Sequence, residues 1–142
     1  MAYVEAGGTV IVQYNTTSWP ASGPPVLGPF PFTIGRERVT DEGASVTVAP
    51  HPVLSKPNPI GAADWAGWVQ ERGLYFAETW DGRYAVPLSM HDAGEQPLRG
   101  SLLIAKVGKG AFVYTGLSFF RQLPAGVPGA FRLFANLVDH GG

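Results

Sequence analysis

The chain has 142 residues, which is enough for one domain with its own hydrophobic core. Its 10 basic and 11 acidic residues nearly cancel, so the charge pattern gives no footprint for nucleic acid or for an anionic membrane surface. The absence of cysteine excludes disulfides, thiolate metal sites and a cysteine nucleophile, and without a signal peptide or a membrane-spanning apolar run we expect a cytoplasmic protein.

The first segment predicts a helical turn that ends at glycine and leads into a strand. Residues 2–8 are typical of a helix end, because Gly7 can adopt the left-handed backbone that caps the last carbonyls. Thr9–Tyr14 is nearly all apolar, which is typical of a strand covered on both faces. This order is the middle of a parallel α/β unit. We therefore expect an N-terminally incomplete domain that is completed by dimerisation.

The middle of the chain alternates between loops and short strands. Residues 15–35 are rich in proline and glycine and predict a long loop. A short strand is predicted at Ser45–Val48, and a turn at His51–Leu54. Two further strands are predicted over residues 68–76 and 84–90, joined by a turn around Asp81 and Gly82.

The last third gives the clearest local signals. Residues 101–107 and 111–116 flank a Gly-Lys-Gly turn and predict a β-hairpin. A helix follows from Pro128 to Val138, and its spacing predicts one apolar face made of Phe131, Phe134, Leu137 and Val138.

Several runs carry a resemblance to a known family. The run Gly108–Leu117 (GKGAFVYTGL) resembles a segment of ThuA-like domains in the class I glutamine amidotransferase-like superfamily, and His51–Leu54 (HPVL) is similar to an earlier motif there. Closer still is the amidotransferase-like domain appended to PIG-L (LmbE-like) deacetylases. Those domains have runs similar to residues 67–76, 90–92 and 119–130. The resemblance covers the whole chain but only the C-terminal part of that domain.

The resemblance implies a flavodoxin-like, partly parallel α/β sheet and a lost reaction. In true amidotransferases, the strand similar to residues 10–14 leads into a turn that holds the cysteine nucleophile. Here Tyr14 or Asn15 stands at that position, and neither is an acyl-accepting nucleophile of that kind. ThuA-like proteins have a histidine where this chain has the run Ser118–Phe120. We therefore expect no glutaminase activity.

Three residues are candidates for a metal site. His91 and Asp92, at the end of a predicted strand, are either ligands of zinc or another divalent metal, with a role as general base, or part of an exposed turn. His51 is either a third ligand or a turn residue before Pro52. Glu71 joins His91 and Asp92 as a candidate catalytic residue.

A second set of residues is predicted to bind a ligand: Tyr14, Asn15, Arg72, Tyr114, Arg121 and Gln122. Glu71 and Arg72 form either a buried ion pair or part of a polar cluster in a pocket. Arg121 and Gln122 either bind a carboxylate or phosphate or anchor the turn before the last helix. Four aromatic residues form either a sugar-stacking surface or core: Trp19, Phe30, Trp65 and Trp80.

Together these features predict a single α/β domain over residues 1–142 that has lost its catalysis. Its expected function is ligand binding or assembly, with a carbohydrate or a related small polar metabolite as ligand. The alternative is a small metal-dependent hydrolase of esters, amides or phosphoesters with a site at a dimer interface. We expect a homodimer in either case, because the apolar strand 10–14 is a poor exposed edge.

Overall fold

The computed structural model describes residues 1–16 and 27–141. Three helices and seven strands lie in these ranges, with 3-10 turns at Pro52–Leu54 and Ala62–Trp65. The helices are α1 (Ala2–Glu5), α2 (Phe119–Gln122) and α3 (Pro128–Asp139). The strands are β1 (Thr9–Gln13), β2 (Phe32–Ile34), β3 (Ser45–Val48), β4 (Ala77–Trp80), β5 (Leu88–His91), β6 (Leu102–Val107) and β7 (Gly110–Thr115).

The central sheet has the strand order β1-β7-β6. β6 and β7 form the antiparallel hairpin, in which Leu102 pairs with Thr115. β1 runs parallel to β7, with Val10 opposite Phe112 and Gln13 opposite Thr115. The carboxyl ends of β1 and β7 therefore lie side by side.

Close backbone approach holds α1 against the start of this sheet. A Cβ on Gly110 would come within 2.2 Å of the carbonyl oxygens of Gly8 and Val4, so only glycine fits there. Gly7 and Gly108 have φ of 123° and 60°, a backbone region that favours glycine. The glycines at both turns are thus required by the geometry.

The remaining strands form two antiparallel ribbons. β2 pairs with β4, placing Phe32 opposite Trp80. β3 pairs with β5 over their full length, from Ser45 opposite His91 to Val48 opposite Leu88. These ribbons and their loops build most of the structure outside the central sheet.

The core lies on both faces of the central sheet. On one face, Ile104 and Val113 pack with Leu133 and Leu137 of α3. On the other face, Phe112 and its neighbours pack against the ribbon β2–β4. This alternation follows from the strand geometry, since successive side chains point to opposite faces.

Many of the sequence predictions are confirmed. The short helix before Gly7, the first strand, the strand at residues 45–48, the turn after His51, the hairpin and the last helix all lie where the patterns place them. The fold is a mixed α/β domain with a partly parallel sheet. Among the described residues, no helix has the length and apolar character needed to cross a membrane.

Two predictions of elements are wrong. Residues 68–76 form irregular backbone, and the strand there begins only at Ala77 and pairs with β2. β2 lies inside the stretch predicted to be a loop, and residues 17–26 of that stretch lie outside the described part of the chain.

The face of α3 is also different from the predicted one. Ala130, Leu133 and Leu137 are buried, whereas Phe131 and Val138 are exposed at 51% and 56%. A nearly all-apolar helix offers two stripes, and the sequence pattern does not tell which one meets the sheet.

Candidate functional site

A cluster of polar and aromatic side chains lies at the carboxyl ends of β1 and β7. Tyr14 is the first residue after β1, and its amide N–H donates to the carbonyl oxygen of Thr115 at 2.8 Å. Its φ is 47°, in the left-handed region that a bulky residue seldom adopts. This edge of a parallel sheet is where α/β proteins commonly bind ligands, and a strained residue there is a further pointer to function.

The Tyr14 phenol lies against two charged side chains. Its hydroxyl donates a hydrogen bond to Oε1 of Glu71. The same carboxylate oxygen is 3.9 Å from Nη2 of Arg121. At that distance the two groups form an ion pair without a hydrogen bond. The N–H groups of the Arg121 guanidinium therefore do not donate to Glu71. Glu71 is largely covered, with 18% of its side chain exposed, while Arg121 has 46% exposed.

Two aromatic rings flank the phenol. The Tyr14 ring meets Tyr75 edge-on at 5.2 Å and Phe120 edge-on at 4.7 Å between centroids. Phe120 is 52% exposed, and the Arg121 guanidinium carbon lies 5.0 Å from the centre of its ring. We call Tyr14, Glu71, Tyr75, Phe120 and Arg121 the Tyr14 cluster.

The surroundings hold Tyr14 in its neutral form. Burial raises its pKa to about 12, with the hydrogen bond and negative charge of Glu71 adding to the effect and Arg121 opposing it. The phenol is thus a neutral hydrogen-bond donor near pH 7. An ionised phenolate, the form that would act as a nucleophile, is disfavoured.

The backbone beneath the cluster is fixed by buried polar groups. The Gln122 side chain is fully buried, accepts from the Val69 N–H at 2.8 Å and donates to the carbonyl oxygens of Val69 and Glu71 at 2.9 and 3.2 Å. The Tyr114 hydroxyl donates to the carbonyl oxygen of Tyr75, and burial raises its pKa. Both residues therefore position the cluster from below.

Other predicted ligand-binding residues have structural contacts. Asn15 adjoins the cluster, and its side-chain amide donates to the carbonyl oxygen of Gln13 at 3.3 Å. Arg72 does not pair with Glu71: its guanidinium donates to the carbonyl oxygens of Asp41, Glu42 and Trp65. The alternative of a buried Glu71–Arg72 pair is therefore wrong.

Arg72 and Asp92 together hold one loop. Arg72 is only 3% exposed, and burial lowers its pKa while Asp92 and Glu42 oppose that shift. The Asp92 carboxylate accepts from the backbone N–H groups of Thr40 and Asp41 at 2.8 to 3.0 Å. The two charges thus bind the same short loop from its carbonyl and amide groups.

The three candidate metal ligands are not gathered at one place. Nδ1 of His91 lies 2.8 Å from the carbonyl oxygen of Asp92. His91 pairs with Ser45 at the start of β3, whereas His51 follows the end of that strand. In residues 1–16 and 27–141, no group of three or more histidine, cysteine, aspartate or glutamate side chains could hold a metal ion.

His51 has a different neighbourhood. Its Nδ1 accepts from the Val53 N–H at 3.2 Å and caps the 3-10 turn, and its ring centre lies 5.2 Å from that of His140. Burial lowers the pKa of both histidines, and for His51 the charge of His140 adds to this. His51 also lines an apolar surface groove of about 590 Å³ with Val48, Pro50 and Leu54.

The described members of the aromatic set that was either a sugar-stacking surface or core are divided between two core clusters. Trp65 is buried against Trp68, and Phe30 packs edge-on against Tyr84. Trp80 lies in β4, and Trp19 is outside the described residues. The exposed ring beside polar groups is Phe120, which sequence reasoning did not single out. Tyr75 was also missed, because it sits in a segment with no regular pattern.

Comparisons with known proteins add no relative. No family model matches the chain, and no curated protein and no solved structure gives a significant match. Function must therefore be argued from the site.

Proposed function

We propose that this chain is a ligand-binding module of the amidotransferase-like, flavodoxin-like class that no longer catalyses glutamine hydrolysis. The observation that carries the proposal is the Tyr14 cluster. A strand leads directly into a left-handed residue at the ligand-binding edge of the sheet. That residue is a tyrosine whose phenol stays protonated. A module that keeps the site but lacks the nucleophile binds a ligand without transferring an acyl group.

The chemistry of the cluster favours a small polar ligand with several hydroxyl groups, such as a carbohydrate. The Glu71 carboxylate accepts hydrogen bonds, and the half-exposed Arg121 guanidinium donates them. The exposed ring of Phe120 supplies a flat apolar surface of the kind on which a sugar ring stacks. A strongly anionic ligand fits less well, because Glu71 would repel it.

The proposal is tested by ligand-observed NMR with a panel of neutral mono- and disaccharides. We expect binding to the wild-type chain, and loss of the signal in Phe120→Ala and Arg121→Gln. Val48→Ala and Arg36→Gln are the matched controls, because Val48 is a similarly exposed apolar residue, at 45%, and Arg36 is an exposed arginine on another part of the chain. Equal binding by all four variants, or no saccharide binding by the wild type, would contradict the proposal.

A further inference from the structure

The edge of β1 that does not face β7 is a candidate surface for pairing with another chain. Among the described residues, β1 pairs with β7 alone. Its side chains Val10, Ile11 and Val12 are only half-buried, although Ile11 packs on one core cluster and Val10 and Val12 on the other. Edge strands usually carry a lysine, a proline or a bulge that blocks further pairing. β1 has none of these.

The hydrogen bonds already made define which backbone groups remain. Gly8 accepts from Ala111, and Tyr14 donates to Thr115, both across the β1–β7 pairing. In a parallel pair alternate residues bond to the same neighbour, so the even-numbered residues of β1 face β7. The N–H and C=O groups of Thr9, Ile11 and Gln13 point to the open side. Among the described residues, one side chain donates a hydrogen bond to these groups: the exposed Asn15 amide, to the Gln13 carbonyl oxygen.

We infer that β1 pairs antiparallel with β1 of a second copy, on a two-fold axis at Ile11. In this register Ile11 faces Ile11 of the second copy, and Thr9 faces Gln13, each pair exchanging both hydrogen bonds. All outward backbone groups of β1 are then satisfied at once. No charged side chain lies on β1, so the symmetric pairing brings no like charges together. A two-fold contact of this kind is self-complementary and closed.

The helix that packs against β1 also exposes apolar side chains. α3 packs against β1 and exposes Phe131 and Val138, which are seven residues apart and so lie on one side of the helix. A five-residue strand alone buries less than a stable interface needs, roughly 1,200 Å² in total. A second copy that also covers this stripe supplies the rest.

The register also brings the second copy to the Tyr14 cluster. Tyr14 lies across from Gly8 of the second copy, and the exposed ring of Tyr3 packs beside Gly8 within each chain. The Tyr3 ring of one copy therefore lies beside the end of the β1 strand that carries Tyr14 in the other copy. The interface itself does not depend on what the cluster binds.

The register is tested by cross-linking, for which a chain without cysteine is well suited. The double variant Thr9→Cys with Gln13→Cys places the new thiols of two copies about 5.5 Å apart at Cα, within disulfide range. Within one chain the same two positions are about 13 Å apart, so a disulfide can form only between copies. We expect a covalent dimer from the double variant under mild oxidation and monomers from each single variant.

Light scattering of the unmodified chain at micromolar concentration gives the independent measurement. We expect twice the chain mass of 15.1 kDa. Gln13→Pro removes the outward N–H that β7 does not use and should give monomer, whereas Gln13→Thr keeps that N–H and should remain dimeric. A folded wild-type monomer would overturn the proposal. A single-cysteine variant that cross-links as well as the double one would overturn the register.

Discussion

Tyr14 is a residue whose properties come from its neighbours more than from its type. Burial, the Glu71 carboxylate and the Arg121 guanidinium act on one phenol, the first two raising its pKa and the third lowering it. The left-handed backbone conformation of Tyr14 is unfavourable in free energy, and contacts with the surrounding structure must offset it. Both effects can be measured at this one position.

We predict opposite pKa changes from two substitutions beside Tyr14. Glu71→Gln removes a hydrogen-bonded negative charge and should lower the phenol pKa from about 12, whereas Arg121→Gln removes a positive charge and should raise it. NMR titration of tyrosine ring carbons, assigned with Tyr14→Phe, measures both shifts. Equal pKa values in the two variants would show that neither charge acts on the phenol.

The raised pKa of Tyr14 also predicts that the free energy of unfolding falls at alkaline pH. The unfolded phenol ionises near its ordinary value of 10.0, while the folded one holds its proton to about 12. Stability from this group is therefore present below pH 10 and is lost as the pH rises through the folded value. Tyr14→Phe should flatten this part of the unfolding profile.

Gly116 is predicted to be intolerant of any side chain. A Cβ there would lie 2.6 Å from the carbonyl oxygen of Leu74 and 2.8 Å from Cδ1 of Phe76. Gly116→Ala should therefore cost about 1–3 kcal/mol of unfolding free energy, measured by urea denaturation. Gly82→Ala is the control, since nothing lies within 4 Å of the added atom. Equal stability of the two variants would rule out the steric argument.

At the scale of elements, α3 is joined to the 3-10 turn Pro52–Leu54 by a histidine pair and an asparagine. Asn136 is fully buried and donates to the carbonyl oxygens of Val53 and Asn58 at 2.8 and 2.7 Å. His140, at the end of the helix, lies beside His51. The helix is thus fixed to the turn by neutral polar groups.

This joint should weaken in acid. Burial lowers the pKa of His51 and His140 below the ordinary 6.5, so the stability they contribute is present above pH 6.5 and is lost as the pH falls through their folded values. His51→Asn keeps a capping acceptor without a titrating ring, and with His140→Gln it should flatten the loss of unfolding free energy between pH 7 and 5. An unchanged slope in the double variant would contradict this assignment.

The elements differ in how well the sequence predicts them. The hairpin β6–β7 is local: its turn glycines and its two mainly apolar runs lie within fifteen positions of one another, so the pattern is sufficient. Residues 68–76 fail for the opposite reason. Their conformation depends on distant partners such as Gln122, which bonds Val69 and Glu71 from the other end of the chain. No local pattern contains that information.

The candidate site shows the same division. Tyr14 could be placed at the end of a strand from the sequence, because the apolar run of β1 is visible locally and ends there. Its partners could not, since Glu71 and Arg121 come from two segments far away in the chain. The split of Glu71 from Arg72 is likewise set by tertiary contacts and not by their adjacency.

At the scale of the whole molecule, the central sheet and the loop-rich part share one apolar core cluster, in which Trp68 and Met90 lie with Leu133. The central sheet with α3 has continuous apolar packing on one face. The loop-rich part, which includes the ribbon β3–β5, has short strands and long connections. Two buried charges, Arg72 and Asp92, also contact backbone groups of that part.

We predict that Arg72 makes the two loops it contacts open together. The Arg72 guanidinium donates to the carbonyl oxygens of Asp41 and Glu42 before β3 and of Trp65 in the second 3-10 turn. If either segment detached, the buried cation would lose hydrogen-bond acceptors, which is costly. Segments tied in this way exchange their amide hydrogens through a shared opening. In Arg72→Lys, peptides covering residues 38–44 and 62–68 should lose protection against deuterium together and by the same factor, whereas Arg36→Lys should leave both unchanged. Two different factors would mean that these loops breathe independently, and that the buried arginine joins them in space without coupling their motion.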